Sequence, residues 1–435
     1  MSISLVGSCR VIPASEEGLS QAANVLRKGG LLAFPTETVY GLGANALNED
    51  AVRAIFTAKG RPLTDPLIVH VPGMAKALQL VEVNGDAKRA FISLGNLFWP
   101  GPLTIIVNAA DCIPSAITAD TGFVGIRVPS HPLARALLEK CDLPLAAPSA
   151  NRFGHVSPTR SSHVEDDFTS HNADKEVLIL NGETDLEGNE GIMVTTCTVG
   201  IESTVIKIVS EEKKIQILRQ GAIIRRQIEE ALREIDLDYE VEAVLRAVKM
   251  ESSSQQGSVA SREAKEECGQ AQEAPGQAIT HYAPDIPCVI ATGLQQHLNS
   301  SSLSSSSLQG DEVLQLSQEE FESTVVVDLG GKHLIESEGK CLAYRDLSSS
   351  GDMAEAARGL FDVLRWAEGV QGAKLVVLPY VESDLNDLLR SGDVNSGYHG
   401  RTIEDDHDSA TMIPGLVDRM FRAASGKFKK ITIKL

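Results

Sequence analysis

The 435-residue sequence has few aromatic residues, a deficit of cations and no long hydrophobic run. Phe, Trp and Tyr make up only 4% of it, so we expect a core built mainly from Val, Ile, Leu and Ala. The net charge of -19 argues against a protein that coats nucleic acid, because such binding needs Lys and Arg to neutralise phosphates. It leaves room for a local basic pocket. No segment approaches the roughly 18 apolar residues of a membrane span.

The cysteine pattern argues against both disulfides and a structural metal site. The seven cysteines are odd in number and widely spaced, and they form no C-x-x-C pair. Such usage favours a reducing compartment. The first residues show no signal-peptide pattern. We therefore expect a cytoplasmic protein without disulfides, without a protein-held metal and without a membrane anchor.

Two familiar nucleotide-binding motifs are also missing. The chain has no G-x-x-x-x-G-K-[ST] sequence and no G-x-G-x-x-G after a predicted strand. It also lacks a Ser-His-Asp or Cys-His signature. Any nucleotide site is therefore neither a P-loop nor a dinucleotide-binding Rossmann site.

Helical and strand patterns alternate through the first half, which predicts an α/β domain over residues 1–235. The helices are expected at 16–28, 50–58, 132–140 and 224–235. The strands are expected at 31–34, 67–71, 103–107, 124–128, 143–147, 177–180, 204–208 and 215–218.

The composition changes after about residue 240. Ser, Gln, Glu, Ala and Gly dominate residues 251–276, which cannot offset their ordering entropy by burial. We therefore predict a flexible linker over 236–284 and a second, smaller α/β domain with a parallel sheet over 285–435. The elements expected there are strands at 287–291, 324–328, 341–345 and 375–378, and a helix at 352–366.

Polar motifs follow several predicted strands, where α/β proteins place ligands. The stretch 34–43, FPTETVYGLG, reads as a strand followed by a polar, glycine-containing turn, which alone is more simply an ordinary loop. Lys59 and Arg61 straddle a glycine, and they suit either a polyphosphate or the C-terminal end of a helix. Arg127 lies in an apolar strand and needs a partner, either a ligand carboxylate or a protein carboxylate. His70 ends a strand, where a lone histidine is more often structural.

The joint pattern says more than each motif alone. Hydroxyls, amides and four cations stand at strand ends, without the signature of a catalytic nucleophile. That combination favours positioning and charge neutralisation of a phosphorylated ligand.

Taken in order, the segments resemble the threonylcarbamoyl-adenylate synthases, the YrdC-like family. The matching stretches are FPTETVYGLG (34–43), KGRP (59–62), PLIVH (66–70), WPGPLT (99–104), GIRVPSHP (125–132), APSAN (147–151), SPT (157–159), GIEST (200–204) and LRQG (218–221). HYAP at 281–284 and the second α/β domain resemble the longer, two-domain form. The resemblance implies a twisted mixed sheet with a concave active site, plus a smaller Rossmann-like C-terminal domain.

The resemblance also implies an enzyme that makes L-threonylcarbamoyladenylate from L-threonine, bicarbonate and ATP, with release of pyrophosphate. The product would pass to a downstream tRNA threonylcarbamoyl transferase complex that modifies tRNAs reading ANN codons. Mg²⁺ is expected with ATP, because the phosphate charge must be countered.

Site residues carry over from the family at matching positions, with Lys59 and Arg61 as the catalytic pair. The positions around ATP are Lys59, Arg61, Asp65, Phe123, Ser149, Asn151, Ser157, Arg219 and Tyr282. The positions around threonine are Thr38, His70, Arg127, Ala147 and Ser203. Phe123 and Ala147 would act through backbone groups, and Tyr282 would cover the nucleotide.

Asp65 stands where the family often has Asn. It either pairs with Lys59 or Arg61, or binds the Mg²⁺ carried by ATP, and we favour the metal-linked interpretation. Two alternatives to the enzyme are a non-catalytic RNA-binding protein and a regulatory homologue. The related carbamoyltransferase of hydrogenase maturation would need C-x-x-C pairs, which this sequence lacks.

Overall fold

A computed structural model describes residues 9–169, 176–183, 197–244, 271–276, 281–297, 312–383 and 412–434. These residues divide into two compact units. Unit 1 holds the described residues up to 276, except Gly154–Val156. Unit 2 holds Gly154–Val156 and the described residues from 281 onward. Both units are α/β, as the sequence predicts.

Unit 1 is built around an 11-stranded mixed sheet in the order β1-β8-β2-β3-β7-β4-β6-β5-β9-β10-β11. The strands are β1 (Cys9–Ile12), β2 (Leu31–Phe34), β3 (Gly41–Asn45), β4 (Ile68–His70), β5 (Leu103–Asn108), β6 (Phe123–Arg127), β7 (Leu145–Ala146), β8 (Val177–Leu180), β9 (Thr204–Val209), β10 (Lys214–Arg219) and β11 (Glu240–Ala243). Strands β4 and β6 pair in parallel, whereas β5 and β6 pair antiparallel. The mixed sheet predicted from the sequence is confirmed.

Helices cover both faces of this sheet with small and aliphatic side chains, and buried apolar clusters form there. The helices are α1 (Glu16–Arg27), α2 (Glu49–Lys59), α3 (Met74–Ala77), α4 (Gly85–Phe98), α5 (Ser115–Thr118), α6 (Pro132–Cys141), α7 (Ser161–Thr169) and α8 (Arg225–Glu234). Helix α2 shows how sequence signals place the site. Asn48 caps its start, and Gly60 ends it in the left-handed region at φ 64°, so Lys59 and Arg61 lie on either side of a sharp turn.

Three features of unit 1 differ from the sequence predictions. Residues 41–45 form β3, antiparallel to β2, rather than part of a polar turn, because Gly43 packs against the Phe34 ring where a side chain would clash. The unit continues past the predicted boundary at residue 235, because β11 pairs with β10. Residues 271–276, predicted as linker, pack on unit 1 with Ala274 fully buried. Residues 245–270 lie outside the described part of the chain.

Unit 2 contains a six-stranded sheet in the order β13-β17-β12-β16-β14-β15, and every pairing between its described strands is parallel. The strands are β12 (Cys288–His297), β13 (Glu312–Ser317), β14 (Thr324–Asp328), β15 (Ala343–Asp346), β16 (Leu375–Pro379) and β17 (Phe428–Lys434). The helices are α9 (Gln318–Phe321), α10 (Leu334–Ser337), α11 (Met353–Gly369) and α12 (Ile413–Ala423). Asp352 caps α11 by accepting a hydrogen bond from the Glu355 amide. The predicted parallel sheet is therefore present.

A glycine-containing loop follows β14 in unit 2. Its amides point at two carboxylates, Asp328 and Asp346, which end the neighbouring strands β14 and β15. Asp346 accepts hydrogen bonds from the amides of Gly330 and Gly331, and Asp328 accepts one from the amide of His333 at 2.7 Å. The donors of this loop are therefore satisfied by the protein's own acidic side chains.

Two further expectations concern disulfides and membrane-spanning helices. Six cysteines are free thiols, and the seventh, Cys268, lies outside those ranges. None of the described helices combines the length and the apolar character needed to cross a bilayer.

Candidate functional site

Lys59 anchors the strand-end segment that carries Ser149 and Asn151. Its amine donates hydrogen bonds to the backbone carbonyls of Ser149, at 2.6 Å, and of Asn151. The side chain is buried, and burial together with the nearby charge of Arg61 lowers its pKa well below the usual value. A buried cation beside another cation is costly unless an anion joins them, so this arrangement suits a polyphosphate.

Arg61 and Asp65 form a buried ion pair, with Nη2 and Oδ1 2.8 Å apart and both side chains at most 3% exposed. Arg61 also donates to the backbone carbonyls of Asp65 and Pro66. Burial raises the pKa of Asp65, whereas the charges of Arg61, Lys59 and Arg219 oppose that rise. Asp65 therefore contacts Arg61 directly and also experiences the charges of Lys59 and Arg219. This is the pairing arrangement for Asp65, rather than the metal-linked one that we favoured from the sequence.

Arg219 connects the residues predicted for ATP with those predicted for threonine. Its Nε donates to the Ser203 carbonyl and its Nη2 to the Ser203 hydroxyl, both at 3.0 Å. The Ser203 hydroxyl also lies 2.8 Å from the Thr104 hydroxyl. All three side chains are buried. Arg219, at the end of β10, and Thr104, on β5, thus hold Ser203 in place just before β9.

Arg127 and Thr38 come together at the predicted threonine end. The Nη2 of Arg127 donates to Glu37 Oε1 at 2.7 Å and to Thr38 Oγ1 at 3.0 Å. Its buried Nε has no hydrogen-bond partner within the described part of the chain. A protein carboxylate therefore satisfies one side of the guanidinium, and the Nε side is left for a second acceptor.

His70 ends β4, in register with Arg127 on β6. Burial, and then the charge of Arg127, lowers its pKa to about 3. His70 is therefore neutral near pH 7, and it can offer a hydrogen bond without adding charge. Its buried Nδ1 makes no hydrogen bond to any described residue.

The remaining predicted residues of unit 1 are held by a strand or by hydrogen bonds. Ala147 donates its amide to the Ile68 carbonyl at 2.9 Å, and Phe123 begins β6. The Ser157 hydroxyl donates to Glu202 Oε1 at 2.5 Å, and the Asn151 side-chain amide donates to a backbone carbonyl. Unit 1 therefore contains thirteen of the fourteen predicted positions, and Tyr282 is the exception.

Sequence reasoning missed several residues of the site. Glu37 and Glu202 are buried acidic partners of predicted site residues, and the need of a buried Arg for an anion could have indicated Glu37. Lys207 was also not predicted. Its amine lies 3.9 Å from the centre of the ring of Phe123, which is one of the predicted residues. No composition signal indicates residues 271–276, whose backbone bonds Thr64 and Arg219.

Tyr282 belongs to unit 2. Its ring is buried, it lies 5.6 Å from the Phe361 ring, and the Arg419 guanidinium stacks on it at 5.2 Å. Its backbone lies in the left-handed region at φ 61°, an unusual conformation for tyrosine. The contact of Tyr282 with a nucleotide stays a prediction.

No group of three His, Cys, Asp or Glu side chains converges like metal ligands in the described residues of unit 1. Asp65, the carboxylate considered for Mg²⁺, is already paired with Arg61. The side chains of this site therefore fit a Mg²⁺ ion that is held by the phosphates of a bound nucleotide better than a Mg²⁺ ion that is held by the protein.

Family models match almost the whole chain in two consecutive parts. A model for the Sua5, YciO and YrdC proteins, described as telomere recombination, matches residues 24–221. A second, described as threonylcarbamoyl-AMP synthase, C-terminal domain, matches residues 223–425.

Named relatives and a solved structure agree with these models. The threonylcarbamoyl-AMP synthase of Bacillus subtilis is 37% identical over 288 residues, which cover 66% of this chain and 70% of the relative. The synthase of Pyrococcus abyssi is 36% identical over 273 residues, covering 62% and 67%. The crystal structure of P. abyssi Sua5 complexed with L-threonine superposes with a TM-score of 0.65 and 26% identity, covering 97% of this chain and 99% of that one.

Fold and site together define a two-domain YrdC-like enzyme, in which the mixed sheet of unit 1 carries a buried, cation-rich polar site. The second α/β unit distinguishes it from single-domain YrdC-like proteins. The chain belongs to the threonylcarbamoyl-AMP synthase family.

Proposed function

We propose that this chain synthesises L-threonylcarbamoyladenylate from L-threonine, bicarbonate and ATP and releases pyrophosphate. The observation that supports the proposal is the pair of hydrogen bonds from Arg219 to Ser203, because they join a residue predicted for ATP to one predicted for threonine in a buried environment. The named synthase relatives, and the threonine complex of one of them, support the same activity.

The reaction needs two bond-forming steps. The threonine amine attacks carbon dioxide derived from bicarbonate and loses a proton, which gives a carbamate and, overall, a water molecule. A carbamate oxygen then attacks the α-phosphorus of ATP, and the bond to the bridging oxygen breaks as pyrophosphate leaves. Charge accumulates on phosphate oxygens in the second step, so fixed cations stabilise the transition state.

The residues around Asp65 supply those cations. Lys59, Arg61 and Arg219 would contact the phosphates, while Asp65 holds Arg61 in a fixed orientation. Holding these groups before substrate binds lowers the cost of reorganisation during the reaction. Mg²⁺ would arrive with ATP and neutralise part of the triphosphate charge.

The residues predicted for threonine suit an amino acid. Arg127 would donate a hydrogen bond from its Nε to the threonine carboxylate, because its Nη2 is already engaged by Glu37 and Thr38. Neutral His70 and the Ser203 hydroxyl would contact the rest of the substrate without repelling its ammonium group.

Pyrophosphate release tests the proposal directly. The purified chain should release pyrophosphate only when ATP, L-threonine and bicarbonate are all present, and mass spectrometry should find the adenylate. No RNA is needed in this assay, so the result separates an enzyme from a non-catalytic RNA-binding protein or a regulatory homologue. Equal pyrophosphate release without any amino acid would contradict the proposal.

The product's destination forms part of the same proposal. A mixed anhydride of a carbamate and AMP is reactive, so a transferase must use it promptly. We propose that a tRNA threonylcarbamoyl transferase complex is that consumer. Adding such a complex and an unmodified tRNA reading ANN codons should convert the adenylate into threonylcarbamoyladenosine.

A further inference from the structure

Three potential metal ligands converge in unit 2, apart from the catalytic network. His155, Asp285 and Glu368 each offer one ligand atom, and these atoms lie within 4.8 Å of one another. The three residues come from separate parts of the chain: a short loop segment, the segment before β12, and the last turn of α11. Such convergence from distant positions does not follow from local sequence.

Backbone contacts hold the three segments in place. Residue His155 pairs with Ala283 in a parallel bridge, and the Ala283 amide donates to the Gly154 carbonyl at 3.1 Å. On α11, Arg365 donates to the Val156 carbonyl. The bridge and these hydrogen bonds therefore help to fix the positions of His155, Asp285 and Glu368. Such preorganisation favours metal binding.

The ligand atoms themselves are close to metal-binding geometry. His155 Nε2 lies 2.9 Å from Glu368 Oε2, and the other oxygen of Glu368 accepts the Asp285 amide at 2.7 Å. Two ligands of a tetrahedral Zn²⁺ stand about 3.4 Å apart when each is about 2.1 Å from the ion. A shift of about half an ångström would thus admit the ion between the His155 ring and the Glu368 carboxylate.

The surroundings favour a cation at this point. Glu368 lies in the last turn of the 17-residue helix α11, where the helix dipole is negative and a carboxylate is unfavourable without a positive partner. His155 is almost fully buried, Glu368 is partly buried and Asp285 is exposed, so an ion could enter from the Asp285 side. Arg365, one turn earlier on the helix, carries a positive charge that acts against binding of a metal ion. Its guanidinium donates a hydrogen bond to the Val156 carbonyl.

We propose that His155, Asp285 and Glu368 form a binding site for a divalent transition-metal ion. One imidazole and two carboxylates suit Zn²⁺ or Mn²⁺, with water completing the coordination, whereas Mg²⁺ prefers oxygen ligands alone. The ion would tie Gly154–Val156, which follows Asn151 closely in sequence, to α11 and to the segment that precedes β12. The competing explanation is a simple hydrogen-bonded pair between His155 and Glu368.

Isothermal titration of the full chain with ZnCl₂, after chelator treatment and without ATP or threonine, tests the proposal. The wild type should bind about one equivalent of Zn²⁺. Its affinity should exceed that of Glu368→Gln by tenfold or more, since loss of an outer-shell partner alone typically costs about 10–100-fold. Asp362→Asn, which removes a carboxylate from the same helix, should bind like wild type. MgCl₂ should give a much weaker signal.

A second measurement protects the test against misfolding. Zn²⁺ should raise the thermal unfolding midpoint of the wild type but not that of Asp285→Asn, whose exposed position can be changed with little effect on folding. Equal Zn²⁺ affinity in wild type, Glu368→Gln and Asp285→Asn would overturn the proposal in favour of the simple pair. The experiment contains no substrate, so its failure would leave the proposed activity untouched.

Discussion

Glu37 and Arg127 form a buried ion pair, 2.7 Å between Oε1 and Nη2, at the predicted threonine end of the site. The second oxygen of Glu37 accepts the Ser130 amide at 3.1 Å, so the carboxylate is held from both sides. Glu37 thereby restrains the guanidinium, while the Nε of Arg127 makes no hydrogen bond to any described residue. The pair gives Glu37 a positioning role that the motif alone did not reveal.

Replacing Glu37 with Gln should therefore harm threonine use more than ATP use. Leaving Arg127 buried without its anion should also lower the free energy of unfolding by about 3 kcal/mol. Steady-state kinetics should show a KM for threonine raised about tenfold or more and a KM for ATP changed far less, since about 1.4 kcal/mol of lost binding is tenfold. Glu49→Gln, which breaks an exposed pair with Arg53, is the matched control and should behave like wild type. A uniform loss for both substrates would contradict the positioning role.

Asp65→Asn distinguishes pairing from metal binding. Because Asp65 pairs with Arg61, we expect the variant to need the same Mg²⁺ concentration for half-maximal rate and to show a raised KM for ATP. A Mg²⁺ titration at saturating ATP measures the first quantity, and initial rates at varied ATP measure the second. A clear shift of the Mg²⁺ midpoint would restore the metal-linked interpretation.

His131 should make the protein less stable in mild acid. Burial lowers its pKa to about 4, from 6.5 for the unperturbed group. Below pH 6.5 His131 becomes protonated in the unfolded chain, whereas in the folded chain it stays neutral until about pH 4. Stability is therefore lost as the pH falls through that window, by up to about 2 kcal/mol at pH 5.

His131→Asn should remove this loss while keeping the helix cap, because His131 caps α6 by accepting the Leu133 amide and Asn is a good capping residue. Urea unfolding at pH 7 and pH 5 measures the effect. The variant should lose less stability than the wild type between the two pH values. Equal losses in both proteins would show that His131 does not titrate in this way.

The extent of unit 1 can be tested by truncation and proteolysis. A fragment of residues 1–277 should be more stable than one of residues 1–235, because only the longer fragment keeps β11 and the buried Ala274. In the full chain, limited proteolysis should cut first within 245–270, where apolar residues are scarce, and not within 271–276. Thermal unfolding and mass spectrometry of the fragments provide the measurements. Equal stability of the two fragments would return the boundary to residue 235.

The sequence predicts well those elements whose pattern is local. The strands at 31–34, 177–180 and 324–328 occur with the predicted bounds, because continuous apolar runs between turn residues define them. Strand β3 was missed because two glycines and an alanine carry no strand signal. Its strand conformation comes from pairing with β2 and β7, which no local pattern encodes.

The site residues also divide into those that a local sequence pattern indicates and those that only the fold reveals. Motifs identified Lys59, Arg61, Arg127 and Arg219, since isolated cations at strand and helix ends are visible in the sequence. The sequence did not determine the partner of each cation. Asp65 pairs four residues along the chain from Arg61, whereas Glu37 reaches Arg127 across 90 positions. Spacing left the first of these open, and only the folded sheet reveals the second.

The glycine-containing loop after β14 sets a limit on nucleotide stoichiometry. In many nucleotide-binding α/β units, the backbone amides of a glycine-containing loop after a strand hold a phosphate. Here the amides of Gly330, Gly331 and His333 are neutralised by Asp328 and Asp346, so an incoming phosphate would meet two negative charges and no vacant donor among these three. A calorimetric titration with excess ATP should therefore find no additional equivalent bound at this loop, beyond the one that we propose for unit 1.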